Sequence, residues 1–199
     1  MLEFVKTEYE AKFVDIKIDD IRNKLLALGA ELEVPMRLMR RVTIDTPELI
    51  EQNAFVRVRD EGNKVTLTYK KFDSLSVDGA KEHEITVNDF DETVAILAAS
   101  GLPHKSFQES KRETWIFDGA EIVIDVWPWL DPYIEIEGSS EEHVKELASK
   151  LGLSWDKAVF GDVMAAYRKQ YPHLSEKDTV ANIREVKFGN PLPDLFKSP

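Results

Sequence analysis

Apolar and polar residues alternate along several stretches of the chain, as in β-strands whose two faces have different surroundings. This alternation predicts eight strands, near residues 3–15, 31–45, 54–59, 64–71, 81–87, 105–117, 121–127 and 133–137. Other stretches repeat apolar residues at helical spacing and begin at capping residues. They predict helices near residues 19–28, 88–101, 139–151, 160–170 and 175–187. The pattern therefore predicts an α+β protein.

Turn residues and prolines mark the connections between these elements. Pro35 predicts a bend or a sheet edge within the second strand, and residues 60–63 read as a hairpin turn. Residues 127–132 predict a rigid loop, and Ser175 and Asp178 a capping pair for the last helix. We expect the proline-rich tail, residues 191–199, to be extended or loose.

Charged residues recur at strand spacing on one face of several strands. Three acidic pairs each precede a helical stretch, namely Glu8 and Glu10, Glu82 and Glu84, and Glu135 and Glu137. Because alternate residues share a face, Lys12 lies on the face of Glu8 and Glu10. One such pair alone would indicate a solvated edge strand, but three of them indicate a shared acidic interior.

Eight strands can close into a barrel, which removes exposed sheet edges. We predict an eight-stranded antiparallel barrel whose interior is charged and whose apolar exterior is covered by helices. The inward acids are Glu8, Glu10, Glu82, Glu84, Asp125, Glu135 and Glu137. The inward bases are Lys12, Arg41, Arg57, Arg59, Lys70 and Arg112.

Each buried charge costs roughly several kcal/mol before it is paired, so a contribution to stability alone does not explain the charged interior. The alternative is a network of paired charges on exposed strands. A ligand that needs both signs accounts better for the pattern, and a polyphosphate with a divalent cation is such a ligand. Arginine and lysine bind phosphate oxygens, and carboxylates bind Mg²⁺ or Mn²⁺.

Composition narrows the choice further. The 199-residue chain has a net charge of −11, which argues against a general nucleic-acid binder. It contains no cysteine, and its four histidines show no paired metal-ligand spacing, so carboxylates should hold any metal. No apolar run fits a signal peptide or a membrane span. We expect a cytoplasmic protein that does not bind membranes.

The ordered motifs resemble those of the CYTH domains, or triphosphate tunnel metalloenzymes. The resemblance runs from about residue 3 to 153. It includes the E-x-E-x-K motif at Glu8, Glu10 and Lys12, the paired Arg57 and Arg59, the T-x-K strand ending at Lys70, and the pair Glu82 and Glu84. It ends with Lys111-Arg112, Asp125, and Glu135-Ile-Glu137. The family fold is an eight-stranded tunnel, in agreement with the barrel predicted above.

The resemblance implies roles for individual residues. Lys12, Arg57, Arg59, Lys70 and Arg112 would be catalytic and hold phosphates, with Arg41 and Lys111 as further substrate contacts. Glu8, Glu10, Asp125, Glu135 and Glu137 would bind Mg²⁺ or Mn²⁺. Glu82 and Glu84 would bind a second metal or orient the arginines.

This sequence departs from the family pattern at several positions. Ser110 stands where many members carry a lysine, so that Lys111 either replaces it or points outward. Arg41 and Thr43 stand where many members have an acidic residue or Gln and a Tyr. Residues 154–199 form a helical extension and tail within the same domain, as a surface cap or as a lid or partner-binding element.

The resulting expectation is a metal-dependent hydrolase of inorganic triphosphate or a small organic triphosphate. One alternative is a class IV adenylyl cyclase, which converts ATP to cyclic AMP and pyrophosphate. The other is a non-catalytic protein that binds polyphosphate or nucleotide. We expect a monomer or a homodimer.

Overall fold

The computed structural model describes residues 6–197, which form nine strands and five α-helices. The strands are β1 (Lys6–Phe13), β2 (Glu31–Ile44), β3 (Ala54–Asp60), β4 (Val65–Phe72), β5 (Ala80–Val87), β6 (Ser106–Phe117), β7 (Ala120–Trp127), β8 (Leu130–Gly138) and β9 (Glu185–Val186). The helices are α1 (Ile18–Ala27), α2 (Pro47–Glu51), α3 (Phe90–Ala99), α4 (Glu141–Lys150) and α5 (Val163–Gln170). The predicted parts at residues 3–5 and 198–199 lie outside the described residues.

The first eight strands close into an antiparallel barrel in the order β2-β3-β4-β5-β1-β8-β7-β6, and β2 pairs with β6 to complete the ring. The short strand β9 pairs in parallel with the beginning of β6, at Phe107 and Gln108. The α+β class and the eight-stranded barrel predicted from the alternation are therefore confirmed.

A register shift in β2 changes which residues face inward. The shift falls between Val34 and Arg37, around Pro35, where a bend was predicted. Because the extra residue in a bulge reverses the alternation of faces, both Val34 and Arg37 line the barrel interior. The bulge thus brings Val34 to the interior, whereas Arg37 lies there because the unbroken alternation from Arg37 to Arg41 gives both the same face.

The apolar core lies outside the barrel, between the strands and the helices. Ile122, Ile124, Ile134 and Ile136 on β7 and β8 are fully buried beneath α1 and α4. Helix α4 begins at Ser140, whose Oγ accepts a hydrogen bond from the His143 N–H at 3.2 Å. Alternate positions on the same strands are thereby left to point into the interior.

The segment after residue 158 builds a second core against one end of the barrel. Helix α5 confirms the prediction near residues 160–170. The prediction of a helix over residues 175–187 is wrong, because this stretch contains a 3-10 turn at Val180–Asn182 followed by β9. Asp178 does accept hydrogen bonds from the Ser175 N–H and Oγ at 2.7 Å, but these close a turn.

The end of the chain was expected to be extended or loose, and it is anchored to the second core by Phe196, although residues 191, 192, 194 and 197 are exposed. Phe196 is 2% exposed, and its ring lies 5.0 Å from that of Tyr167 and 4.9 Å from that of Tyr171. Between residues 6 and 197, no helix combines the length and apolar character needed to cross a membrane.

Candidate functional site

The barrel encloses a cavity of about 1030 Å³ whose walls carry charges of both signs. It is lined by every residue that the sequence placed inside, namely Glu8, Glu10, Lys12, Arg41, Arg57, Arg59, Lys70, Glu82, Glu84, Arg112, Asp125, Glu135 and Glu137. The strand alternation alone brings these distant residues together, because each occupies an inward position of its strand.

Lys111, in contrast, does not line the cavity. It is exposed on the outer face of β6, and its Nζ lies 4.9 Å from the centre of the Phe188 ring. Lys111 therefore points outward and does not make the substrate contact that was expected of it. Its neighbour Ser110 faces the interior, where it accepts a hydrogen bond from Arg41.

One part of the wall, which we call the lysine cluster, consists of Lys12 and Lys70 among the carboxylates Glu8, Glu10, Glu82, Glu135 and Glu137. The Nζ of Lys70 lies 2.8 Å from Glu8, 3.1 Å from Glu10 and 3.5 Å from Glu82. The Nζ of Lys12 lies 3.2 Å from Glu10 and 2.7 Å from Glu135. Four carboxylates thus share two lysines, and the fifth, Glu137, pairs with Lys6 instead.

The pKa values reflect this crowding. Burial alone would lower the pKa of Lys70, but Glu10, Glu8 and Glu82 together raise it above its ordinary value. Burial opposes ionisation of Glu135 too, yet Lys12, Arg112 and Lys70 lower its pKa to about 2. Glu137 behaves oppositely, since burial and the neighbouring Glu8 raise its pKa to about 7 despite the ion pair with Lys6.

The other part, which we call the arginine cluster, consists of Arg41, Arg57, Arg59 and Arg112. Arg112 is fully neutralised, because its Nε and Nη2 donate to the two oxygens of Asp125 at 2.7 and 2.6 Å. The hydroxyl of Tyr133 donates to the same carboxylate at 3.1 Å. Both oxygens of Asp125 are therefore occupied by neighbours.

Arg57 and Arg59 approach their carboxylate partners through Nη2 alone, unlike Arg112. Nη2 of Arg57 donates to Glu84 at 3.4 Å and to Thr68 at 3.2 Å. Nη2 of Arg59 lies 2.5 Å from Glu61 and 3.9 Å from Glu84. Burial and the nearby Arg57 and Arg112 lower the pKa of Arg59 to about 10.

Arg41 is a buried cation that is 8% exposed and has no carboxylate within ion-pair distance among residues 6–197. Its Nη2 donates to the Ser110 Oγ at 3.0 Å, and its guanidinium lies 4.3 Å from the Trp127 ring centre, while its Nε finds no acceptor in the described part of the chain. Burial, followed by Arg57 and Arg59, lowers its pKa well below the ordinary value. This environment favours an anion.

Among the lining residues that the sequence did not place inside are three that contact the charged groups, namely Glu61, Arg37 and Tyr133. Glu61 follows Arg57 and Arg59 at alternate positions, so the strand pattern could have placed it inside, but it was assigned to the hairpin turn. Arg37 shares the inward face of Arg41, four residues later on β2, so the same alternation could have placed it inside. Tyr133 shares the inward face of β8 with Glu135 and Glu137, so the predicted strand could have placed it inside too.

The donor chemistry of the lysine cluster fits a hard divalent cation, because only oxygen ligands are present. Glu137 stands directly opposite Glu10 on β1 and Glu121 on β7, and like charges placed so are mutually repulsive. Across residues 6–197, however, no three potential ligands are already gathered as a cation site. Lys12 and Lys70 occupy the carboxylates that such a site would use.

The extension covers one end of the cavity. Asp162 and Val163 at the start of α5, and residues 179–181 around the 3-10 turn, line that end. Backbone hydrogen bonds of 2.9 Å in both directions between Lys12 and Val159 tie the segment to β1. The extension is thus part of the cavity wall.

The fold and the site together define a barrel whose interior suits an anionic ligand. Sequence comparison identifies the family of such barrels to which the chain belongs. The chain belongs to the CYTH domain family, whose model matches residues 6–158. Among curated proteins, no sequence matches it significantly.

Several solved structures share the fold. A conserved hypothetical protein from Pyrococcus furiosus is 23% identical, with a TM-score of 0.65, and the match covers 76% of this chain and 94% of that one. A putative adenylate cyclase from Vibrio parahaemolyticus is 15% identical, with a TM-score of 0.71 and coverages of 81% and 98%. A putative adenylyl cyclase from Hippeastrum, described as having a dominant triphosphatase activity, is 16% identical, with a TM-score of 0.56 and coverages of 84% and 96%.

Proposed function

We propose that this protein is an enzyme that hydrolyses a triphosphate in its barrel with the help of a divalent cation. The observation that carries the proposal is Arg41, a buried guanidinium that has no carboxylate partner among residues 6–197 and lies beside three other arginines. A triphosphate with a bound cation offers the negative charge that the arginine cluster lacks and the positive charge that the lysine cluster lacks.

The residues divide into two groups by this reasoning. Phosphate oxygens would be bound by Lys12, Arg41, Arg57, Arg59, Lys70 and Arg112. A cation, Mg²⁺ or Mn²⁺ in keeping with the family's use of divalent metals, would be held by Glu8, Glu10, Glu135 and Glu137, with Glu82 close by. A cation bound there would offset phosphate charge and lower the pKa of a water molecule.

The motif implies that Asp125 binds the metal, but we assign it a different role. Both of its oxygens accept charge-assisted hydrogen bonds from Arg112, and one also accepts from Tyr133. A carboxylate so engaged is better suited to hold a guanidinium in place than to bind a cation. Glu84 has a similar part, since it accepts from Arg57 and from the Thr68 hydroxyl at 2.7 Å.

The size and lining of the cavity bear on the substrate. Phe55, Phe72 and Trp127 also line it, and they would give an organic group an apolar surface beside the charged wall. The substrates to compare are therefore inorganic triphosphate, thiamine triphosphate and ATP.

The test is one assay panel of these three compounds with Mg²⁺ or Mn²⁺, with products separated as phosphate, pyrophosphate and cyclic AMP. We expect release of phosphate or pyrophosphate that stops in excess EDTA. Formation of cyclic AMP would make the protein a cyclase. Tight binding without any product would make it a binding protein, and full activity in EDTA would exclude the carboxylate-held cation. Glu10→Gln, prepared in parallel, controls for contaminating phosphatases.

A further inference from the structure

Glu61 is a buried carboxylate between two arginines at one end of the cavity. It follows β3 in the hairpin that leads to β4, and only 4% of its surface is exposed. One of its oxygens accepts a hydrogen bond from Arg37 Nη2 at 2.9 Å, and the other lies 2.5 Å from Arg59 Nη2. Burial alone would raise the pKa of Glu61, but Arg59 and other nearby cations bring it below the ordinary value, so the group is ionised.

The two arginines are held very differently. Besides its bond to the Glu61 carboxylate, Arg37 donates to the backbone oxygen of Glu61 at 3.0 Å, to the Arg112 backbone oxygen at 3.3 Å and to the Thr114 hydroxyl at 3.3 Å. It therefore joins the hairpin to β6 and is fixed in place. Arg59 has only Glu61 and, at 3.9 Å, Glu84 as carboxylate partners, and its Nε has no acceptor within residues 6–197.

This asymmetry decides which arginine can exchange its partner. A carboxylate and a phosphate present similar oxygen pairs to a guanidinium, so each can take the place of the other at Arg59. If Arg59 turned away from a carboxylate with no second partner, a buried charge would be stranded at high cost. Arg37 removes this obstacle, because it stays with Glu61 and keeps the carboxylate neutralised.

We propose that Glu61 occupies Arg59 in the absence of an anionic ligand and competes with phosphate for it, while Arg37 acts as the fixed counter-ion that lets the exchange take place. The inference deepens the proposed function, since it takes Arg59 to bind phosphate. Glu61 is thus a positioning residue that acts through Arg59, and the affinity of the cavity for phosphate is set partly by a carboxylate outside the motifs.

The decisive variant is Glu61→Gln, which retains an oxygen acceptor for Arg37 and removes the charge that competes for Arg59. Binding of inorganic triphosphate is measured by calorimetry in EDTA, so that no turnover intervenes, at one fixed salt concentration. The matched control is Glu33→Gln. Glu33 lines the same cavity from the strand that carries Arg37, is exposed, and forms no ion pair within the described residues.

We expect Glu61→Gln to bind triphosphate about tenfold more tightly than the wild type, because Arg59 no longer has to leave a buried ion pair to bind phosphate. Glu33→Gln removes the same charge and should change the affinity about twofold or less, since an exposed charge is screened. Equal tightening in both variants would reduce the effect to net charge and overturn the proposal. Weaker binding by Glu61→Gln would mean that Glu61 holds Arg59 in its phosphate-binding position, which also overturns it.

A second variant, Arg37→Gln, is expected to change the triphosphate affinity in the opposite direction. In Arg37→Gln, Glu61 has only Arg59 left and should retain it, so triphosphate binding should weaken. Adding Glu61→Gln should abolish that loss, whereas a simple charge effect would make the two changes additive. Additivity in this cycle would contradict the role given to Arg37.

These measurements separate the inference from the proposed function. If the wild type binds triphosphate without hydrolysing it, the hydrolase proposal fails, and the Glu61 comparison still decides the exchange. If it hydrolyses triphosphate but Glu61→Gln binds no more tightly, only the exchange fails. If neither the wild type nor Glu61→Gln binds triphosphate, both are overturned.

Discussion

The arginine cluster and the lysine cluster lie in one barrel, and each has too few partners of opposite charge. In the lysine cluster, Lys70 alone is shared by Glu8, Glu10 and Glu82, and Glu137 keeps a pKa near 7 because its surroundings disfavour another negative charge. In the arginine cluster, Arg112 has a complete partner in Asp125, whereas Arg41 has none among residues 6–197.

The difference teaches that the interior is not a self-contained salt-bridge network. A network built for stability would place its surplus acids beside its surplus bases, because each unpaired buried ion costs several kcal/mol, roughly. Here the surpluses are kept apart, with the excess of cations on one part of the wall and the excess of anions on the other. A ligand that carries both signs relieves both at once.

The sharpest way to break this comparison is to remove Arg41. Arg41→Gln should lower kcat/KM for the preferred triphosphate by about 10³-fold, as loss of a preorganised donor to phosphate does. Because no carboxylate in the described part of the chain pairs with Arg41, none is stranded, and the free energy of unfolding should fall by no more than about 1 kcal/mol. Steady-state kinetics and chemical denaturation of the same preparation measure both quantities.

Lys70→Gln is the matched change on the other side. It leaves Glu8, Glu10 and Glu82 without a shared cation, so the metal-free protein should lose about 3 kcal/mol of stability. Excess Mn²⁺ should restore part of that loss, since a cation can take the place of the ammonium group. If Arg41→Gln proved as destabilising as Lys70→Gln, the two clusters would not differ in the way described.

Glu10 provides the next largest effect. Lys12 keeps Glu135 and Lys70 keeps Glu8 and Glu82 when Glu10 is neutralised, so no lysine is stranded. Glu10→Gln should therefore leave the melting temperature of the metal-free protein unchanged or higher, while turnover at saturating Mn²⁺ falls by about 10²-fold. A much lower melting temperature with wild-type turnover would assign Glu10 to the fold alone.

The pKa of Glu137 predicts a pH dependence of stability. Its folded value of about 7 exceeds the ordinary 4.5, so the folded protein binds this proton more tightly than the unfolded chain. The resulting stabilisation is complete below about pH 4.5 and is lost as the pH rises to about 7. In EDTA, the free energy of unfolding of Glu137→Gln should exceed that of the wild type by about 2 kcal/mol at pH 8 and equal it near pH 5. If the difference in unfolding free energy did not change between pH 5 and pH 8, Glu137 would be ionised over that whole range.

The sequence was sufficient for the barrel because period-two alternation reports directly on the two faces of a strand. It placed Arg57, Arg59 and Lys70 inside without any knowledge of their neighbours. It could not reveal which charges pair, since the contact between Lys70 and Glu8 depends on how β4, β5 and β1 are arranged around the ring. The unpaired state of Arg41 is likewise a property of the closed barrel.

The failures have physical causes as well. Val180, Ile183 and Val186 recur every three residues, as in a helix, yet this segment packs against the barrel with β9 added to β6. Arg168 donates to the backbone oxygens of Ser175, Glu176 and Asp178, which satisfies acceptors that a helix would have used. Tertiary contacts outweighed the local pattern.

The smallest effect is expected at Lys111, which tests the boundary between the interior and the outer face. Lys111 and Arg112 are adjacent on β6, but Arg112 pairs with Asp125 in the cavity, whereas Lys111 lies over Phe188 outside it. Lys111→Ala should change kcat/KM about twofold or less, and any residual effect should fade as salt is raised, because an exposed charge acts only at long range. Arg112→Ala should lose activity at every salt concentration, since its contacts are buried. A salt-independent loss of about tenfold in Lys111→Ala would mean that the side chain reaches the substrate. The motif's expectation for Lys111 would then hold in place of the outward position.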